Sequence, residues 1–119
     1  MNVPPRCLHV LLDCAKCSPG PLDSPEVLLA LLAEIAQCCN ARVVNAASHK
    51  FHPQGVTALL LLAESHVSVH TWPEHGYAAI DVFSCVPFSG SAVSAVVARA
   101  LGTEHVRMRQ LERTPQATE

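Results

Sequence analysis

Between Arg42 and Cys85 the chain offers four strand-like segments in succession, separated only by short polar connections. They are Arg42–Ser48, Val56–Ala63, His66–Thr71 and Ala78–Cys85, and the first two are divided by the turn residues His52-Pro53-Gln54-Gly55. His66–Thr71 alternates with period two, His66, Ser68 and His70 on one face and Val67, Val69 and Thr71 on the other. Cys7–Leu12 and His105–Leu111 read as two further strands. Ser24-Pro25-Glu26 is a helix start, with Ser as N-cap, Pro at the first helical position and an acid in the first turn. Val27, Leu28, Leu31, Leu32, Ile35 and Cys39 then recur at helical spacing, and Asn40 is the expected stop. Ser91–Leu101 reads as a second helix, Ser18–Pro21 as a turn and Thr114–Glu119 as a loose tail. The order β-α-β-β-β-β-α-β, with mostly adjacent strands, predicts an α+β domain over residues 1–119: an antiparallel β-sheet covered by two helices.

Half of the residues are hydrophobic and 15% are charged, enough apolar material for a core. The net charge is −2, the six Arg are scattered and aromatics are few, so nucleic acid is not an expected partner. The longest apolar run, Val56–Ala63, has eight residues where a membrane-spanning helix needs roughly 20. Leu8–Leu12 is too short for the core of a signal peptide. The reading is a cytoplasmic protein without a membrane partner, and its six cysteines are then expected to be thiols. Cys14-Ala15-Lys16-Cys17 is a lone CxxC, and His66 with His70 share a strand face. Neither reaches the ligand count of a zinc site, so no metal is expected.

The composition changes at the end of the apolar run. Glu64-Ser65-His66-Val67-Ser68-Val69-His70-Thr71-Trp72-Pro73-Glu74 holds two acids, two Ser, a Thr, two His and the only Trp. Polar groups set against a hydrophobic strand are what an active site needs, because a low dielectric strengthens their fields. A strand emerging into a polar surface loop has the same composition.

The run AESHVSVHTWPEHGYAAIDVFSC resembles the signature of prokaryotic-type S-adenosylmethionine decarboxylase. HKFHPQGVT upstream resembles it too, and more loosely so does LHVLLDCAKC. The resemblance runs from about His9 to Leu111 and is strongest over His49–Cys85. It implies a decarboxylase-like sandwich and a chain that cuts itself between Glu64 and Ser65, leaving residues 1–64 and 65–119. Ser65 Oγ would attack the Glu64 carbonyl. The resulting ester eliminates to dehydroalanine, which hydrolyses with loss of ammonia to a covalent pyruvoyl cofactor. That group forms the Schiff base with substrate and acts as the electron sink. By the same resemblance Thr57 assists processing, and His70 accepts the Cα proton during it. Cys85 is the proton donor in decarboxylation, a thiol that is mostly protonated near neutrality. Phe51 and Trp72 lie near the adenine, and Glu74 holds the ribose hydroxyls. The implied substrate is S-adenosylmethionine, the product an aminopropyl donor for spermidine, and the assembly a homodimer of processed protomers with each site at the interface.

Taken singly, each residue has a plainer reading: Ser65 on the surface, His70 and Cys85 in the core, Phe51 and Trp72 as core aromatics, Thr57 as an ordinary strand residue. One departure from the family pattern is visible. A Gly usually follows the cysteine, whereas Val86-Pro87-Phe88-Ser89-Gly90 follows Cys85, which predicts a different loop path. That departure keeps two alternatives open: a pyruvoyl-dependent decarboxylase of a basic amino acid such as ornithine or arginine, and a non-catalytic regulatory homologue.

Overall fold

The computed structural model describes residues 3–116. The strands are β1 (Cys7–Ala15), β2 (Val43–Lys50), β3 (Val56–Leu62), β4 (Ser65–Trp72), β5 (Tyr77–Ser84) and β6 (His105–Arg113). They form one antiparallel sheet in the order β2-β3-β4-β5-β1-β6. The helices are α1 (Pro19–Leu22), α2 (Pro25–Cys38) and α3 (Gly90–Leu101), so the expected α+β architecture is the observed one. One detail is corrected. The Ser18–Pro21 turn coils into the short α1, for which Pro19 at the first position is preset by its fixed φ. Residues 117–119 of the expected tail lie outside the described residues.

Helix α2 starts where the sequence says. Ser24 accepts a hydrogen bond from Val27 N–H at 3.2 Å, Pro25 follows it, and Asn40 ends the segment in the left-handed conformation at φ 53°. Leu28, Leu31, Leu32 and Ile35 are buried against the sheet, while Val27, placed on the same stripe by spacing, is 42% exposed. Ser89 caps α3 in the same way, through Ala92 N–H at 3.1 Å. Both helices pack on one sheet face, where Val10, Leu12, Leu60, Val67, Val69, Ile80 and Val82 meet them. Full burial of such a side chain stabilises the fold by about 1.5–3 kcal/mol. The other face carries Leu59 and Leu61 of β3, His70 of β4 and Leu111 of β6, all exposed.

One buried hydroxyl fastens the helix layer to the sheet. Thr71, 5% exposed, donates to the Leu22 carbonyl at 2.7 Å and accepts from Val56 N–H at 2.9 Å. It therefore joins the end of α1, the start of β3 and the end of β4. Thr71→Val keeps the shape and deletes both bonds, so we expect a loss of about 1–3 kcal/mol in urea unfolding, with Val56 N–H left without that partner.

Candidate active site

The residues the sequence points to fall into two groups at opposite ends of β4. At the first end, β3 and β4 are joined by a two-residue turn, and Ser65 opposes Leu62. Glu64 is exposed in that turn, and Ser65 is partly buried as the first residue of β4. Ser65 Oγ donates to Ser84 Oγ at 3.3 Å. Ser84 is 1% exposed; its hydroxyl donates to the Val86 carbonyl at 3.2 Å and accepts from Val86 N–H at 3.1 Å. The hydroxyl that would act as nucleophile is thus held by a side chain fixed to the loop after Cys85. Val86 has no positive φ: among the described non-glycine residues only Lys16 and Asn40 do. The loop therefore does without the conformation that a Gly would supply there.

Cys85 is not a thiol in this structure. It is disulfide-bonded to Cys7, which corrects the expectation of six free cysteines. The reason lies in the register. Leu8 pairs with Ser84 across β1 and β5, and one further step brings Cys7 opposite Cys85. Cys14, Cys17, Cys38 and Cys39 are free. Burial pushes the Cys14 thiol up to about 12 and the Cys39 thiol up to about 11, and raises Cys17 as well. Among the described residues no group of three His, Cys, Asp or Glu side chains is placed to share a metal ion.

The second group lies at the far end of β4. Thr57 and His70 are direct cross-strand partners, with Thr57 Oγ1 3.0 Å from His70 Nδ1. They line a cavity of about 470 Å³ together with Phe51, Trp72 and Glu74. Phe51 and Trp72 are not core: they are 45% and 40% exposed. Trp72 is nevertheless fixed, because its ring stacks on Tyr77 at 5.1 Å and 20°. Tyr77 in turn donates to the Asp13 carboxylate at 2.6 Å, and this bond raises the phenol above its usual range. Phe51 leads the loop that Gly55 closes at φ 110°, with Phe51 N–H donating to the Gly55 carbonyl at 2.8 Å. Asp23 anchors that loop, accepting from Gly55 N–H at 2.9 Å and from Lys50 Nζ at 2.9 Å.

Sequence reasoning does not single out Ser84, Cys7, His9 or Phe83. Ser84 immediately precedes Cys85, but only the β4–β5 pairing shows that it meets Ser65. His66, Phe83 and His9 form a row across the open face, with both His rings 5.8 Å from Phe83. Arg113 lies over Phe83 at 5.7 Å. Scattered along the chain, these residues share no spacing that would mark them.

A family model described as S-adenosylmethionine decarboxylase matches residues 8–114. The chain belongs to this family. It is 49% identical over 77 residues to the S-adenosylmethionine decarboxylase proenzyme of Parasynechococcus marenigrum, covering 65% of this chain and 60% of that protein. It is 46% identical over 77 residues to the proenzyme of the same name from Methanococcus vannielii, covering 65% and 63%. The matched region thus spans about three-fifths of the length of these curated relatives. The crystal structure of the adenosylmethionine decarboxylase from Aquifex aeolicus superposes with a TM-score of 0.83 at 29% identity, over 98% of both chains.

The cavity loop of this S-adenosylmethionine decarboxylase family member makes a pH prediction. The Gly55 N–H, and then Lys50, hold the Asp23 carboxyl below its ordinary 3.8. Its contribution to stability is complete above the unfolded value and disappears as pH falls through the lower folded value, where the unfolded chain binds more protons. The stability gap between wild type and Asp23→Asn should therefore be constant near neutrality and shrink only below about pH 3.8, as followed by thermal unfolding.

Proposed function

We propose that the chain is a self-processing decarboxylase of S-adenosylmethionine, cut between Glu64 and Ser65. The observation that carries this reading is the pairing of an anchored Ser65 hydroxyl at one end of β4 with a cavity of exposed aromatics and a carboxylate at the other. A pyruvoyl group derived from Ser65 would supply the carbonyl electron sink that decarboxylation requires. Phe51 and Trp72 present ring faces suited to an adenine and to a sulfonium cation, and Glu74 supplies an acceptor for ribose hydroxyls. An aromatic cavity of this size favours this substrate over ornithine or arginine, which have no purine to fill it. Cys85, once a thiol, would return the proton to the substrate carbon.

Cleavage is compatible with an intact fold. Residues 1–64 contribute β1, β2 and β3, and residues 65–119 contribute β4, β5 and β6. In the sheet β1 is inserted between β5 and β6, while β3 pairs with β4. The two pieces would stay joined along three strand pairings, β3–β4, β1–β5 and β1–β6.

His70 cannot reach Ser65 of its own chain. Five strand steps separate them, about 17 Å, and the alternation of β4 sends their side chains to opposite faces. A second copy that brought its own Thr57–His70–Glu74 end to Ser65 would complete the site. On the uncovered sheet face Leu59 at 40% and Leu61 at 48% exposure stand side by side on β3, an apolar strip for such a copy to cover. A homodimer with sites at its interface follows.

Intact mass under denaturing and reducing conditions, which open the Cys7–Cys85 bond, tests processing. Wild type should give two pieces split at Glu64–Ser65, the second lighter by one ammonia than a serine-started fragment, and Ser65→Ala should stay whole. Purified wild type with its thiols reduced should release carbon dioxide from S-adenosylmethionine and not from ornithine or arginine; no release from the reduced protein would sink the reading. Co-expressing Ser65→Ala with His70→Ala should restore cleavage that neither shows alone, by complementation across the interface. No cleavage of the mixture would refute a shared site.

A further inference from the structure

We infer that Cys7 and Cys85 form a reversible dithiol–disulfide switch that turns the decarboxylase off when oxidised and on when reduced. The inference rests on the decarboxylase reading, because it needs the Cys85 thiol as proton donor. Three observations carry it. The cysteine at the end of the motif is the one bonded, and its partner is the residue that the β1–β5 register brings opposite. The bond bridges strands that are already paired from Leu8↔Ser84 to Cys14↔Ala78, so opening it leaves that pairing in place. It also borders a cavity of about 350 Å³ in which Cys85 is partly exposed, so a small thiol can reach it.

Three of the four free cysteines are shielded from the exchange. Cys14, Cys17 and Cys39 are buried with thiol pKa values pushed up, which leaves little thiolate to attack the bond. Next to the bond, Ser84 holds the Ser65 hydroxyl, so the switch lies beside the reacting end of β4 and not in a remote loop. The chemistry balances with a dithiol as reductant. A thiolate of the dithiol attacks one sulfur of the Cys7–Cys85 bond, and the other sulfur leaves as a thiolate and takes up a proton. The second thiol of the reductant then displaces the first cysteine. Two electrons and two protons pass to the protein, and the reductant leaves as a cyclic disulfide. Oxidation passes the two electrons the other way, to a linear disulfide, which leaves as two thiols.

Cleavage adds a signature that does not depend on turnover. Cys7 precedes the Glu64–Ser65 bond and Cys85 follows it, so the oxidised, processed protein is two pieces joined by one covalent link.

The test uses the full-length purified protein equilibrated with reduced dithiothreitol or with oxidised glutathione, then alkylated and weighed, with carbon dioxide release measured on the same samples. We expect four alkylated cysteines and fragments joined on a non-reducing gel after oxidation, and six with separated fragments after reduction. Carbon dioxide release should fall at least tenfold in the four-thiol form and recover on reduction. Cys7→Ser should be active without reductant and indifferent to the oxidant. Equal release from the four-thiol and six-thiol forms overturns the switch, and so does a protein that keeps six thiols in oxidised glutathione. These comparisons are made on wild type and stand even if Cys7→Ser does not fold. A six-thiol protein that releases no carbon dioxide overturns the decarboxylase reading itself, and the switch with it.

Discussion

Everything at this site depends on the antiparallel register that holds β4 between β3 and β5. That register sets Thr57 against His70 on one side of the strand. On the other it lines up His66 with Phe83 and, one step on, brings the Ser65 hydroxyl to Ser84. A slip of one residue would turn Val67, Val69 and Thr71 out of the core and His70 into it. The buried face forbids that slip, so the packing of three apolar or small side chains also positions Ser65 and His70.

Exposed aromatics and a buried hydroxyl divide the remaining work. Thr71 fixes the meeting of α1, β3 and β4. Directly beside it Trp72 points out of the sheet and stacks on Tyr77. Neighbours on one strand thus serve opposite ends, one tying layers together inside and the other forming a cavity wall outside. The Asp23–Gly55 contact does the same for Phe51, since it ties the loop that carries the ring to the end of α1. Ordering an aromatic in a half-exposed position costs side-chain entropy, and the Tyr77–Asp13 hydrogen bond beneath Trp72 offsets part of that cost before any ligand arrives.

The sheet order also explains how a chain could be severed at its centre and remain one body. The β3–β4 turn is a short local connection, whereas β1 reaches its neighbours across most of the sequence. Strand hydrogen bonds and the shared core act through space, so they do not need the peptide bond at Glu64–Ser65. The same long reach brings Cys7 to Cys85, 78 residues later.

Much of this was legible in the residues alone. The period-two alternation of His66–Thr71 set which side chains face the core, and Ser24-Pro25 with Asn40 set the bounds of α2. Both are local signals, governed by the 2.0 and 3.6 residue periods and by cap chemistry. The long ESH-centred run likewise brought Ser65, His70, Trp72 and Glu74 to notice together, because its residues are contiguous. Whether those residues meet was a tertiary matter. Contiguity along a strand separates side chains by about 3.4 Å per residue, and this drew Ser65 and His70 apart while Ser65 met Ser84 from another strand. The cysteines show the same limit. Reading compartment from composition makes all six thiols, but a disulfide depends on two Cβ atoms meeting, and only the β1–β5 register, with β1 inserted between β5 and β6, brought Cys7 and Cys85 together.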